Sequence, residues 1–256
     1  MTPDAAFPLI AALLGLVLGS FYNVCIVRYD SGLSIQRPRS HCPRCGRTLG
    51  PLELVPVLSW VLLRGRCKGC GERISLRYPL VELLSGLWAL LLAIQFGPSW
   101  YWLGHMVLGG MLLVASGIDL DYFILPDRLT LGGFPLALGF AALRPDLALS
   151  DAAWGAVAGA GAFKLIQLGY KALRGVDGLG TGDVKLMLLI GAWLGWQLVP
   201  MAVLAGSVAA LPVGIVYTLR AKRTGRPAIV PYGPFLSLGA MVCVLYGREL
   251  LALLTP

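Results

Sequence analysis

"YWLGHMVLGGMLLVASGIDLDYFILPD" (residues 101–127) runs from an almost unbroken apolar stretch into three carboxylates, Asp119, Asp121 and Asp127. A stretch of that length and character fits one helix through a bilayer, which takes roughly 20 apolar residues. The whole chain has 13 acidic residues among 256. Three of them at the edge of one apolar helix therefore point to chemistry as well as to solvation.

The rest of the chain has the same character. Apolar residues make up 57% and charged residues 13%, and the mean hydropathy is +0.76. Soluble domains carry about twice that share of charge, and one soluble core could not hide this much apolar surface. The composition predicts an all-α polytopic membrane protein of about eight transmembrane helices, over residues 5–27, 79–97, 100–118, 128–144, 152–170, 184–198, 200–219 and 232–254. The first span is preceded by Asp4 and by no Lys or Arg, so it reads as a retained anchor and not a cleavable signal.

Charge placement sets the expected orientation. Ten of the 21 Lys and Arg fall in 28–78. Arg128, Lys171, Arg174, Lys185, Arg220, Lys222, Arg223 and Arg226 fall on the same side when the spans are alternated, and only Arg144 and Arg248 lie opposite. The positive-inside rule then puts 28–78 in the cytoplasm and both termini outside. The net charge of +8 is accounted for by topology and membrane lipid, with no nucleic acid implied. Three regions result: a first transmembrane helix (1–27), a cytoplasmic insert (28–78) and a multi-helix membrane core (79–256).

The insert holds two C-x-x-C-G turns, Cys42 and Cys45 followed by Gly46, and Cys67 and Cys70 followed by Gly71. Four thiolates at this spacing match a closed, tetrahedral, structural zinc site. Glycine after each pair permits a tight turn that aims amide N–H groups at the sulfurs. Redox pairs or disulfides are the competing reading; a reducing cytoplasm disfavours stable disulfides. His41 reads as a bystander, and Cys25 and Cys243 as small apolar residues within spans.

A second acid stands out in "GVDGLGTGDVKLMLLIGAWLG" (175–195), where Asp183 directly precedes an apolar run. Alternation of the spans places Asp119 and Asp183 at the same membrane edge. Two carboxylates brought within a few Å share a proton, so that one serves as base and the other as acid. Such a pair can activate water against a peptide carbonyl and protonate the departing amine. Gly178, Gly180 and Gly182 would let a peptide approach the backbone there. A nucleotide-binding loop is disfavoured, because no strand precedes these glycines. Simpler roles stand beside these: Asp127 as an N-cap, Asp183 as a cap of its own helix, and Asp119 as a partner of Arg128.

Several stretches together resemble the bacterial type IV prepilin leader peptidases: "GSFYNVCIVR" (19–28), the two C-x-x-C pairs around "LVPVLSWVLLRGRC", "RISLRYPLVELL" (73–84), "IDLDYFILPD" (118–127), "GLGTGDVKLMLLIGAWLG" (178–195) and "VPYGPFLSLGA" (230–240). The resemblance implies a membrane aspartic protease of the G-x-G-D type in the bacterial inner membrane. Its substrates would be type IV prepilins and type II secretion pseudopilins, cut after a Gly on the cytoplasmic side to remove a short basic leader. It implies Asp119 and Asp183 as the catalytic pair, structural zinc on Cys42, Cys45, Cys67 and Cys70, and N-methylation of the new terminus from S-adenosylmethionine. Glu82 would contribute to methylation, pair with Arg77 or snorkel to the interface. Lys164 would snorkel or line a polar cavity. The basic leader is expected near Asp121, Asp127 and Asp177 rather than at the basic insert. The reading from another class is a non-catalytic membrane zinc protein, a scaffold or transporter component.

Overall fold

The computed structural model describes residues 3–176, 178–224 and 230–252. Among them the long helices are α1 (Pro3–Arg28), α3 (Arg77–Phe96), α4 (Trp100–Tyr122), α5 (Asp127–Ala142), α6 (Leu149–Arg174), α7 (Thr181–Leu194), α8 (Val199–Thr224) and α9 (Gly233–Ala252), with a short α2 (Leu58–Leu62) between α1 and α3. Each long helix stands where hydropathy placed a span. The fold is all-α, and β pairing among the described residues is limited to two isolated bridges, His41 to Thr48 and Arg66 to Arg73.

Among the described residues four helices are long and apolar enough to cross a bilayer by themselves: Ala6–Arg28, Arg77–Phe96, Trp100–Tyr122 and Val199–Ala221. The α5 and α7 helices have 16 and 14 residues. At 1.5 Å per residue these rise about 24 and 21 Å, short of a hydrocarbon core of about 30 Å. Their surroundings explain the shortness of α7. It is buried along most of its length, with Leu186, Met187, Leu189, Ile190 and Trp193 all enclosed, as a helix apolar all round must be. The α8 helix is the opposite case. Leu204, Val208, Leu211 and Ile215 are exposed, which suits a face turned to lipid.

The chain forms two compact units, Met1–Val114 and Ala115–Pro256. In the first, α1 packs on α3 through Gly15 and Gly19. A Cβ on Gly15 would lie 2.5 Å from the Ser85 carbonyl oxygen, and one on Gly19 would lie 2.6 Å from the Glu82 Cα. Lipid tails give no hydrophobic drive to join helices, so small residues that let backbones touch provide the packing. In the second unit α6 packs on α7 by the same device, since a Cβ on Gly155 would lie 2.2 Å from the Gly191 oxygen.

Candidate functional site

Asp119 lies in the last turn of α4 and Asp183 in the first turn of α7. Both are buried, at 5% and 8% exposure, although one ends an apolar run and the other begins one. The second unit brings them together around Leu125. A Cβ on Gly182, next to Asp183, would lie 3.0 Å from the Leu125 Cβ; one on Gly233 would lie 2.9 Å from the Leu125 Cδ2 and 2.7 Å from Asp119 Oδ2. The carboxylates are near enough to interact electrostatically. The backbone N–H of Gly233 donates to Asp119 Oδ2 at 3.0 Å. Arg128, by contrast, is exposed.

The turn after α4 is what folds Leu125 inward. Phe123 has φ 56°, a left-handed backbone that is costly for an aromatic side chain, and its N–H donates to the Asp119 carbonyl at 2.9 Å. Leu125 is then 6% exposed.

The glycine loop before α7 is gripped by α6. Gln167, itself buried, donates from Nε2 to the Leu179 carbonyl at 2.8 Å and accepts from Lys164 Nζ at 2.8 Å. The Tyr170 ring covers Gly178, where a Cβ would lie 2.3 Å away. Lys164 is thus the first member of a polar chain that ends on the loop bearing Asp183. Gly180 ends that loop with extended backbone, φ −68° and ψ 141°, and its carbonyl accepts from the Asp183 N–H at 3.2 Å. Gly180 holds the cap position of α7, and Asp183 stands three residues on, in its first turn.

The four cysteines converge in the first unit. The Sγ atoms of Cys42, Cys45, Cys67 and Cys70 all lie within 4.8 Å of one another, and Cys42 to Cys70 is 3.8 Å. Zinc–sulfur bonds of about 2.3 Å in a tetrahedron put sulfurs about 3.8 Å apart, so the set fits that metal. The two turns repeat each other. Gly46 N–H donates to the Cys42 carbonyl and Gly71 N–H to the Cys67 carbonyl, both at 2.9 Å, with φ 69° and 72° at the glycines. The amides of Cys45 and Arg44 hold the Cys42 thiol below its ordinary value. Those of Cys70 and Gly69 bring Cys67 down to about 6, while Cys70, despite the Glu72 amide, is pushed up to about 11 by burial and by its thiol neighbours. His41 stands outside the cluster, its Nδ1 against the Arg39 carbonyl at 3.0 Å. None of the six cysteines is in a disulfide.

Residues 106–215 match the model of the Type IV leader peptidase family, and residues 13–96 match the Bacterial Peptidase A24 N-terminal domain. The prepilin leader peptidase/N-methyltransferase of Aeromonas hydrophila is 38% identical over 93% of this chain and 90% of its own. The chain belongs to the type IV leader peptidase family. The proteins of the same name from Burkholderia pseudomallei (strain K96243) and Stutzerimonas stutzeri are 40% and 36% identical, over 95% and 96% of this chain and 87% and 93% of theirs. No solved structure matches it.

Within this leader peptidase chain the remaining acids take roles the sequence did not define. Asp127 is the first residue of α5, not its N-cap; Pro126 holds the cap position. Its Oδ1 accepts from Lys185 Nζ at 2.6 Å. Asp121 is exposed in the last turn of α4, and Asp177 lies outside the described residues. Glu82 is buried, and its Oε2 accepts the Val57 N–H at 2.7 Å. Gly233 and Gln167 carried no signal by residue type. The neighbourhood of "VPYGPFLSLGA" was the one trace of Gly233.

Proposed function

We infer that this membrane protein is a prepilin leader peptidase that also N-methylates its product. The observation that carries the peptidase half is the meeting of Asp119 and Asp183, from different helices, around Leu125 and the Gly233 amide. Family membership supports the reaction type and disfavours the non-catalytic zinc protein.

Asp119 and Asp183 are the catalytic residues in this reading. Two buried carboxylates this close hold one proton between them. The ionised one takes a proton from water, which attacks the scissile carbonyl. The protonated one gives its proton to the departing amine. The Gly233 N–H occupies Asp119 Oδ2 and fixes that carboxylate in place, while Gln167 fixes the loop bearing Asp183. The substrate presents a Gly at the cut and a basic leader beyond it. In this reading the exposed acids Asp121 and Asp127 meet that leader. Pseudopilins share these features and belong to the same substrate class. The positive-inside charge distribution supports a site at the cytoplasmic face of the inner membrane in this reading.

Cys42, Cys45, Cys67 and Cys70 hold structural zinc in this reading. The closed four-sulfur set has no free position for a substrate; the metal supplies folding energy to a segment with little apolar core. For methylation, S-adenosylmethionine supplies an electrophilic methyl group, and the chain presents the new N-terminal amine to it. The first unit has buried acceptors of the kind a cationic reaction needs, Glu82 and Asn23.

The test is purified protein with a prepilin and S-adenosylmethionine, the product read by intact mass. Loss of the leader with gain of one methyl supports both halves. Loss of the leader alone reduces the reading to a peptidase, and an uncut prepilin and uncut pseudopilin contradict it.

A further inference from the structure

The peptidase reading uses the acids of the second unit and leaves a buried polar cluster in the first without a role. Asn23 on α1 is 2% exposed and Glu82 on α3 is 7% exposed. They lie diagonally across the α1–α3 seam. Asn23 Nδ2 donates to the Tyr78 carbonyl at 3.0 Å and to its own helix at Gly19, 3.3 Å. Glu82, one turn beyond Tyr78, backs onto Gly19, one turn before Asn23. Residues four apart share a helix face, so both side chains belong to one seam.

Two features separate this cluster from ordinary helix packing. Asn23 Oδ1 is enclosed and has no hydrogen-bond partner, and a buried amide oxygen left unmatched costs about 1–3 kcal/mol. Val57, whose N–H meets Glu82, has φ 61°, an outlying backbone for a β-branched residue. It stands between the two cysteine pairs, immediately before α2. Strain of this kind persists where surrounding structure enforces it, and gathers at functional sites.

An orphan acceptor on the same helix seam as a buried carboxylate, both sheltered from water, calls for a donor-rich cation. Resting on the methyltransferase reading above, we propose that Glu82 and Asn23 receive the N-terminal amine of the cleaved pilin, with Glu82 as the base that frees it for methylation. The incoming terminus is an ammonium. It gives one proton to the Glu82 carboxylate and keeps a hydrogen bond to Asn23 Oδ1. The nitrogen lone pair then forms the N–CH3 bond as the S–CH3 bond of the sulfonium donor breaks, its electron pair returning to sulfur. The positive charge passes from sulfur to the methylated nitrogen, and Glu82 later releases its proton to water. The strained turn at Val57 covers the carboxylate and opens for the amine.

Cleavage and methylation are measured side by side in wild type, Glu82→Gln and Asn23→Ala, with zinc content as a check of folding. Glu82→Gln is nearly isosteric and still accepts the Val57 N–H. It is expected to cut prepilin within about twofold of wild type while methylation falls by about 100-fold or more. Asn23→Ala is expected to lower methylation about tenfold with cleavage unchanged, as loss of one hydrogen bond to a cation does. Without any methyl donor, wild type should bind a mature-pilin peptide with a free terminus about tenfold more tightly than its N-acetylated form, and Glu82→Gln should erase that preference. Methylation at the wild-type rate in Glu82→Gln, equal loss of both activities, or equal binding of the two peptides overturns the proposal. A wild type that cuts but never methylates overturns the methyltransferase reading itself.

Discussion

The N–H of Gly233 meets Oδ2 of Asp119 at 3.0 Å across 114 positions of sequence. That bond ties the start of α9 to the end of α4 and leaves no room for a side chain, since a Cβ on Gly233 would lie 2.7 Å from the same oxygen. Gly233→Ala is expected to displace Asp119 and reduce kcat for leader cleavage by about 100-fold, the scale of an ångström-sized misplacement. KM should change little, because the prepilin binds over a much larger surface. Steady-state kinetics on a purified prepilin checks this, and an unaltered kcat would show that the bond is dispensable.

Gln167 holds Leu179 from the neighbouring helix. Replacing it with Leu leaves a buried carbonyl without its donor, a loss of about 1–3 kcal/mol, and frees the loop that carries Asp183. Gln167→Leu is expected to lower kcat/KM about tenfold, with faster amide exchange confined to the loop at 178–182. Exchange unchanged there would mean that Gln167 does not restrain it.

The cysteine site gives a prediction independent of catalysis. Wild type should bind about one zinc per chain, and Cys67→Ser should bind little. Proteolysis of the zinc-free chain should open within 28–76 while the membrane helices keep their helical signal, because metal binding supplies most of the order of so small a segment. A metal-free wild type with four titratable thiols would refute zinc here.

The acids outside the pair differ from one another. Asp127 and Lys185 are 58% and 35% exposed in their side chains, so their pair is worth less than about 1 kcal/mol. Asp127→Asn should leave thermal stability nearly unchanged. Asp121→Lys should raise KM several-fold for a prepilin with a basic leader, and less for one whose leader is neutral. Equal KM values for both substrates would place the leader elsewhere.

Much of the fold was legible because the bilayer imposes a coarse rule, one long apolar run per helix. The acids stood out for the related reason that Asp119 and Asp183 interrupt or adjoin such runs. The cysteine pairs were legible from ligand type and spacing alone. What the sequence hid were relationships involving backbone. The Gly233 amide and the Leu179 carbonyl are present in every residue, so nothing in the letters marks them as partners of Asp119 and Gln167. The shortness of α5 and α7 was partly hidden too, because apolar character cannot separate a helix facing lipid from one enclosed by its neighbours. Asp127 misled for a local reason: an acid after Pro at a helix start suits an N-cap, yet the fixed φ of Pro126 let the cap position fall one residue earlier.

The most direct test of the account is leader cleavage by Asp119→Asn and Asp183→Asn, each zinc-loaded and folded, read by intact mass of the prepilin. Each substitution removes a titrating carboxylate while keeping its shape. Neither protein should remove the leader at a detectable rate, while wild type cuts after the Gly. Cleavage by either variant at a rate near wild type would contradict the two-aspartate mechanism.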